Sequence, residues 1–224
     1  MSTFSVQRNT LKAVVERVEV ELAEFYGFEP LCHAAEHLID LDELRTVLGN
    51  QVTSLPEYGA RAAVFFSSDT NTQELFIGIH FSESISAQLN VTNPLTRLAD
   101  DNLDQFCIVV EEVSHFHLIL NRMSNEQIVS KLELEWQGEI DKLLVAALTL
   151  ARQCGDSHIL PLARKLYDQA EIVGLDRELY WQATKRAARF WFAELRHSNT
   201  IGPELRDALR DHYYAPLSLK MRAG

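Results

Sequence analysis

The stretch from Phe106 to Leu120, FCIVVEEVSHFHLIL, constrains the fold more than any other part of the chain. Its apolar residues, Phe106, Ile108, Val109, Val110, Val113, Phe116, Leu118, Ile119 and Leu120, leave no polar face if the segment is helical. A helix that is apolar all round belongs inside a core. This one would carry Glu111, Glu112, His115 and His117 inside with it. Ions buried without partners are costly, so these groups must pair, hold protons or bind something.

As a helix, the segment sets Glu112 and His115 at i, i+3, and Glu111 and His115 at i, i+4. The first spacing is the E-x-x-H of carboxylate-bridged di-iron bundles, which also need a second E-x-x-H and two further Glu. No second E-x-x-H occurs, but the next segment offers Glu135 and Glu139, one turn apart. Glu111, His115, Glu135 and Glu139 therefore form one candidate metal cluster. The competing structural reading has Glu112–His115 and Glu139–Lys142 satisfying one another. Ile108-Val109-Val110 also suits a strand, which would put Glu111, His115 and His117 on one face and Glu112 on the other.

Residues 33–37 read HAAEH, an H-x-x-E-H pattern. On a helix, His33 and His37 lie one turn apart and can reach a single ion, zinc or another divalent metal. Glu36 beside them is placed to act as general base on metal-bound water. Glu111 or Glu112 follows at a distance that resembles the pitrilysin-type metallopeptidases. The likeness covers five residues and one spacing. It implies a metal-dependent hydrolase with His33, His37 and Glu112 as ligands and Glu36 as the catalytic base. Here a charged helix and Pro30 precede the motif, where those enzymes enter it from a β-strand.

The third candidate is the segment from Arg177 to His197, rich in aromatic and basic residues. Tyr180, Ala187, Trp191 and Leu195 can form its core stripe, and Trp181, Lys185, Arg189, Phe192 and Arg196 then line a neighbouring flank. Aromatic and arginine side chains together are the usual anchors of binding surfaces.

Charge decides what such a flank would meet. Residues 1–150 hold 9 Lys and Arg against 23 Asp and Glu, while residues 151–224 hold 12 against 9, giving the formal charge of −11. An acidic front half repels nucleic acid and anionic lipid, so the expected partner is another protein. No apolar run is long enough to span a bilayer, and the N-terminus lacks the apolar core of a signal peptide. Three scattered cysteines, Cys32, Cys107 and Cys154, make no framework and suit a reducing cytoplasm.

The periodicity predicts an α+β chain: N-terminal helices, a small antiparallel hairpin, then an antiparallel helical bundle. Leu11, Val14, Val15, Val18, Leu22 and Phe25 recur at helical spacing, with Glu16, Glu19, Glu21 and Glu24 on the other side, and Gly27 ends that helix. Pro30 starts a second helix that carries HAAEH and should stop near Gly49–Asn50. Two β-rich runs, 61–67 and 73–81, flank the polar turn SDTNT, and 84–91 suits a strand or a helix equally.

Thr92-Asn93-Pro94 signals a helix start, with a buried helix following over 103–120. Ser124 and Gln127 form a capping box for the next helix, which runs towards Gly155. Helices over 157–173 (stopped by Gly174) and 177–197 follow, then a short one after Gly202-Pro203. Residues 1–122 read as an acidic α+β region and 123–224 as a helical region, within what can be one continuous domain.

No GxGxxG, phosphate-loop or GxSxG motif is present, which excludes those routes to nucleotide binding and nucleophilic catalysis. The leading expectation is a cytoplasmic interaction or regulatory protein without its own catalysis. The alternative is a metal-dependent hydrolase built on H-x-x-E-H and a downstream Glu.

Overall fold

The computed structural model describes residues 3–40, 42–43, 46, 61–68, 75–155, 159–168, 176–196 and 200–223. Among them the chain forms eight α-helices and a two-stranded antiparallel sheet, an α+β fold with a helical bundle. The helices are α1 (Thr3–Tyr26), α2 (Glu83–Val91), α3 (Leu103–Ser124), α4 (Lys131–Cys154), α5 (Ile159–Asp168), α6 (Arg177–Glu194), α7 (Pro203–Tyr214) and α8 (Leu217–Ala223). The strands are β1 (Ala62–Ser68) and β2 (Leu75–Phe81), in register with Val64 opposite Ile79.

The stripe Leu11, Val14, Val15, Val18, Leu22 and Phe25 on α1 is buried as its spacing predicts. Gly27 ends the helix in the left-handed region at φ 75°, a conformation glycine adopts without Cβ strain. The acidic side of α1 departs from expectation. Glu16 and Glu24 are exposed, but Glu19 and Glu21 are buried. Each has a partner that accounts for this: Glu21 meets Arg152 of α4 at 2.5 Å, and Glu19 anchors the segment that follows the helix.

That segment is not the α-helix expected from Pro30. It forms a single 3-10 turn at Ala34–Glu36 and then runs along the sheet. Ile79 N donates to His37 O at 2.8 Å and Ile39 N donates to Ile79 O at 3.0 Å. The free edge of β2 thus competes successfully for backbone groups that a helix would have used. Gly78 permits the approach, because a Cβ there would sit 2.6 Å from Ile39 Cδ1. The expected stop near Gly49–Asn50 and the turn residues Asp69–Thr72 lie outside the described residues, as does Gly174.

Two helix starts also differ from the sequence reading. Asn93 does not open a helix; its side chain accepts from Leu95 N at 2.9 Å in a local turn. Helix α3 begins after Asn102, whose Oδ1 accepts from Ala99 N and whose amide donates to Thr92 O and Arg97 O. Ser124 is the last residue of α3 rather than a cap. The cap of α4 is Ser130, which accepts from Glu133 N at 3.1 Å. Residues 84–91 resolve as helix, and 106–120 is helical throughout.

Helices α3 and α4 pack antiparallel, with Arg122 against Glu133 at one end and Glu111 against Lys142 further along. Helix α5 returns the chain so that α6 runs parallel to α4. Lys131 pairs with Asp176, and a turn or two on, Thr184 Oγ1 donates to Glu139 Oε1 at 3.2 Å. Helix α1 lies antiparallel to α4 on its other side, joined to it by Tyr26–Asp141 and Glu21–Arg152. The apolar core is continuous from Leu11 on α1 to Tyr213 on α7, and α3 and α4 run through its middle. No helix among the described residues is long and apolar enough to cross a membrane.

Candidate metal centre

Burial of α3 between the sheet, α1 and α4 fixes where Glu111, Glu112, His115 and His117 go. His117 faces α1, and its Nε2 donates to Glu19 Oε2 at 2.9 Å. Glu111, Glu112 and His115 face α4, where Glu135, Glu139 and Lys142 meet them. His115 is 7% exposed and Glu135 is 5% exposed. The ring of His115 lies between two carboxylates: Nδ1 is 3.8 Å from Glu112 Oε2, and Nε2 is 3.9 Å from Glu135 Oε2. Neither distance is a hydrogen bond. His115 Nε2 and Glu135 Oε2 are buried and make none at all.

Gly138 lies beside the same two side chains. A Cβ at this position would stand 3.0 Å from His115 Nε2 and 3.1 Å from Glu111 Cγ. Glycine inside a helix is unfavourable by roughly 0.5–1 kcal/mol relative to alanine, so its presence here keeps room beside the imidazole. Glu111, His115 and Glu135 each offer a ligand atom, and these atoms lie within 4.8 Å of one another. Two ligands on bonds of normal length around a tetrahedral zinc ion stand ~3.4 Å apart. The His115 Nε2–Glu135 Oε2 pair at 3.9 Å has to close by about 0.5 Å to reach that spacing.

Glu111, Glu112, Glu135 and Glu139 are set against Lys142 and the one imidazole. Burial, reinforced by the charges of Glu111 and Glu112, pushes the Glu135 carboxyl up to about 8. Burial would also raise Glu111, but Lys142 and His115 outweigh it and hold that carboxyl below its usual value. Burial opposes protonation of His115, yet Glu112, Glu135 and Glu111 together bring it up to about 9. Tyr180 on α6 is raised by burial and then by the charges of Glu135, Glu111 and Glu112. Titratable groups displaced in opposite directions in one buried place concentrate at functional sites.

The remaining sequence candidates are placed differently. His33 Nδ1 is 2.7 Å from Glu19 Oε1, and Ala34 N donates to Glu19 Oε2 at 2.7 Å. His37 Nδ1 lies 3.0 Å from Ile77 O, and its ring packs on Phe116. The two histidines therefore point to different partners, and Glu36 is exposed. Among the described residues, His33, His37 and Glu112 do not form a group of converging ligand atoms. The physical reason is the 3-10 turn, which lacks the one-turn register of an α-helix that the H-x-x-E-H geometry needs. Glu139 also stands apart from the three ligands, bound at 2.7 Å to Lys142 Nζ.

On α6 the core stripe of Ala187, Trp191 and Leu195 is buried, and Tyr180 is half-buried. Trp181 is 44% exposed, with Lys185 Nζ 3.7 Å over its ring. Phe192 is half-buried against Tyr167, while Arg189 and Arg196 are exposed.

Sequence reasoning missed a second buried polar network on the other side of α4. Asp141 Oδ2 accepts from Ser114 Oγ at 2.5 Å, and Oδ1 accepts from Tyr26 and from Gln137 Nε2. It missed Gly138 as well, although a glycine inside a helical pattern is a recognisable signal of close approach. Protein-family models, curated protein sequences and solved structures give no match to the chain. A functional reading therefore rests on the geometry of the site itself.

Proposed function

We propose that this chain binds one divalent transition-metal ion between α3 and α4, with Glu111, His115 and Glu135 as its protein ligands. The observation that carries the reading is the pair His115 Nε2 and Glu135 Oε2, buried, 3.9 Å apart and without hydrogen bonds. Leaving such atoms unsatisfied costs about 1–3 kcal/mol each, and a cation between them removes that cost. One imidazole with two carboxylates suits zinc, manganese or iron. Three protein ligands also leave a coordination position for water or a substrate atom, as catalytic sites do. The chemistry an ion so held supplies is activation of water or polarisation of an oxygen.

The test is elemental mass spectrometry on untagged protein purified without chelators, beside His115→Ala, Glu135→Gln and His37→Ala. Near-stoichiometric metal in the wild type and in His37→Ala, lost in the other two, supports the reading. Retention of metal in His115→Ala, or none in wild-type protein dialysed against zinc or manganese, overturns it.

A second reading, a face for an acidic protein partner, is favoured by Trp181 and Lys185 standing together at the surface of α6. Lys185→Glu reverses the charge over the indole and should weaken capture of such a partner at least tenfold. Unchanged capture would remove this reading.

A further inference from the structure

One cation among the buried carboxylates is supplied by the chain itself. Lys142 Nζ lies 2.7 Å from Glu139 Oε1 and 3.3 Å from Glu111 Oε2, with its side chain only 15% exposed. Glu111 belongs to both sets, since it is also one of the three converging ligands. A carboxylate shared between two cations is how two-metal sites are built. Glu139 Oε1 is further fixed by Thr184 Oγ1 from α6, so the lysine position has a partly built shell of its own.

The sequence register makes the same point. Four-helix di-metal sites use four Glu and two His, with two of the Glu paired to the His as E-x-x-H. Here the facing helices supply four Glu (Glu111, Glu112, Glu135 and Glu139) and one E-x-x-H, Glu112 to His115. The place of a second pair is taken by Glu139 to Lys142, an E-x-x-K. The residue that would have been the second imidazole is an ammonium.

We infer that Lys142 occupies the second cation position of a carboxylate-bridged pair and so fixes the site at one metal ion per chain. This rests on the metal reading above. An ammonium supplies a permanent charge that neither exchanges nor changes oxidation state. Its charge shields Glu111 and Glu139 from each other while leaving the His115 side open to the exchangeable ion. Lys142 is thus a residue that sets metal number, and the class of ligand in question is the divalent cation.

The experiment compares wild type with Lys142→His, which completes the second E-x-x-H, and with Lys142→Gln, which removes the charge without adding an imidazole. Each is dialysed against manganese, checked for helical content by circular dichroism, and read by elemental stoichiometry and electron paramagnetic resonance. Wild type should hold one ion with the six-line signal of isolated manganese. Lys142→His should hold two with a spin-coupled signal, and Lys142→Gln should take up the second ion at higher manganese concentration. Folded variants that still hold one isolated ion overturn the inference while leaving the metal reading intact. A wild type without metal overturns both. If Lys142→His fails to fold, the stoichiometry of Lys142→Gln decides.

Discussion

Gly138 stands so close to His115 that a Cβ on it would lie 3.0 Å from Nε2. This contact separates a metal site from a packing contact. Alanine is the better helix residue by roughly 0.5–1 kcal/mol, which offsets the cost of the small shift that His115 and Glu111 must make in the metal-free protein. Gly138→Ala should therefore leave the melting temperature of metal-free protein within about 4 °C of wild type. Its metal affinity should fall at least tenfold, because the added carbon occupies the space beside the ligand nitrogen. Thermal melts with and without chelator, together with calorimetric titration, check both halves. An unchanged affinity would show that the space beside Nε2 is not where an ion sits.

Arg122 and Lys220 contact the same buried carboxylate, and their removal should have unequal effects. Arg122 binds Glu133 at 2.8 Å and also donates to Tyr213 O and Ala215 O, so one guanidinium ties α3, α4 and the end of α7. Lys220 of α8 adds one contact at 3.3 Å, and burial, with Arg122 nearby, drives its ammonium down to about 8. Arg122→Met should cost about 3–5 kcal/mol, the usual figure for leaving a buried charge without its main partner. Lys220→Met should be close to neutral, since a hydrophobic stem replaces a cation held against its preference. Denaturant titration of both variants tests this, and equal losses would contradict it.

The parts of the fold that the sequence makes legible are those where one face dominates. The apolar stripe of α1, the alternation in β2 that buries Ile77, Ile79 and Phe81, and the continuous apolar run of α3 each specify their element locally. What was not legible depended on distant partners. Nothing near residues 37–39 announces that the edge of β2, some forty residues away, will take their backbone groups. Nor does Ser130 look a better cap than Ser124 until α3 is seen to continue through Asn121 and Arg122.

The site divides in the same way. Glu111 and His115 come from a contradiction visible in the sequence, charge within a segment that must be buried, and Glu135 from the carboxylates spaced one turn apart on the next segment. The histidines of HAAEH carried a stronger motif but a weaker constraint. Their surroundings did not require burial, and the turn geometry at Ala34–Glu36 separates them. The Asp141 network stayed hidden because Tyr26, Ser114 and Asp141 lie on three helices with no shared spacing.

That network yields its own prediction. Asp141 is fully buried, and burial pushes its carboxyl up to about 6 even though Ser114, Tyr26 and Gln137 oppose the shift. Each donor to the ionised carboxylate is worth about 1.5–3 kcal/mol. Ser114→Ala and Tyr26→Phe should each lose about that much stability at pH 7.5. At pH 5, where the folded carboxyl holds its proton, the loss should shrink towards that of a neutral hydrogen bond, about 1 kcal/mol. Denaturant curves at the two pH values check the difference, and a pH-independent loss would show that the folded Asp141 carboxyl does not change its protonation between pH 5 and pH 7.5.

Glu19 binds the loop and α3 to α1 through a single carboxylate, and the sign of its pH dependence follows from its partners. Burial would raise its pKa, but His117, the Ala34 N–H and His33 outweigh that and bring it down to about 2. A depressed carboxyl contributes stability above its unfolded value of 4.5 and loses it as pH falls towards 2. The contribution is on the order of 3 kcal/mol at neutral pH. His33 behaves in reverse: its hydrogen bond to Glu19 raises it above 6.5, so its stabilisation is complete below that pH and fades as pH rises through the raised value. Stability should therefore peak between these two limits and fall on both sides, steeply on the acid side. Glu19→Gln should shrink the acid limb and the part of the alkaline fall that His33 contributes, while His33→Ala should act mainly on the alkaline side and weaken the acid limb only in part, because His117 and the Ala34 N–H still hold Glu19 down. Urea titrations from pH 3 to pH 9 give both profiles. An acid limb unchanged in Glu19→Gln would assign acid lability to other carboxylates and leave Glu19 as a packing contact.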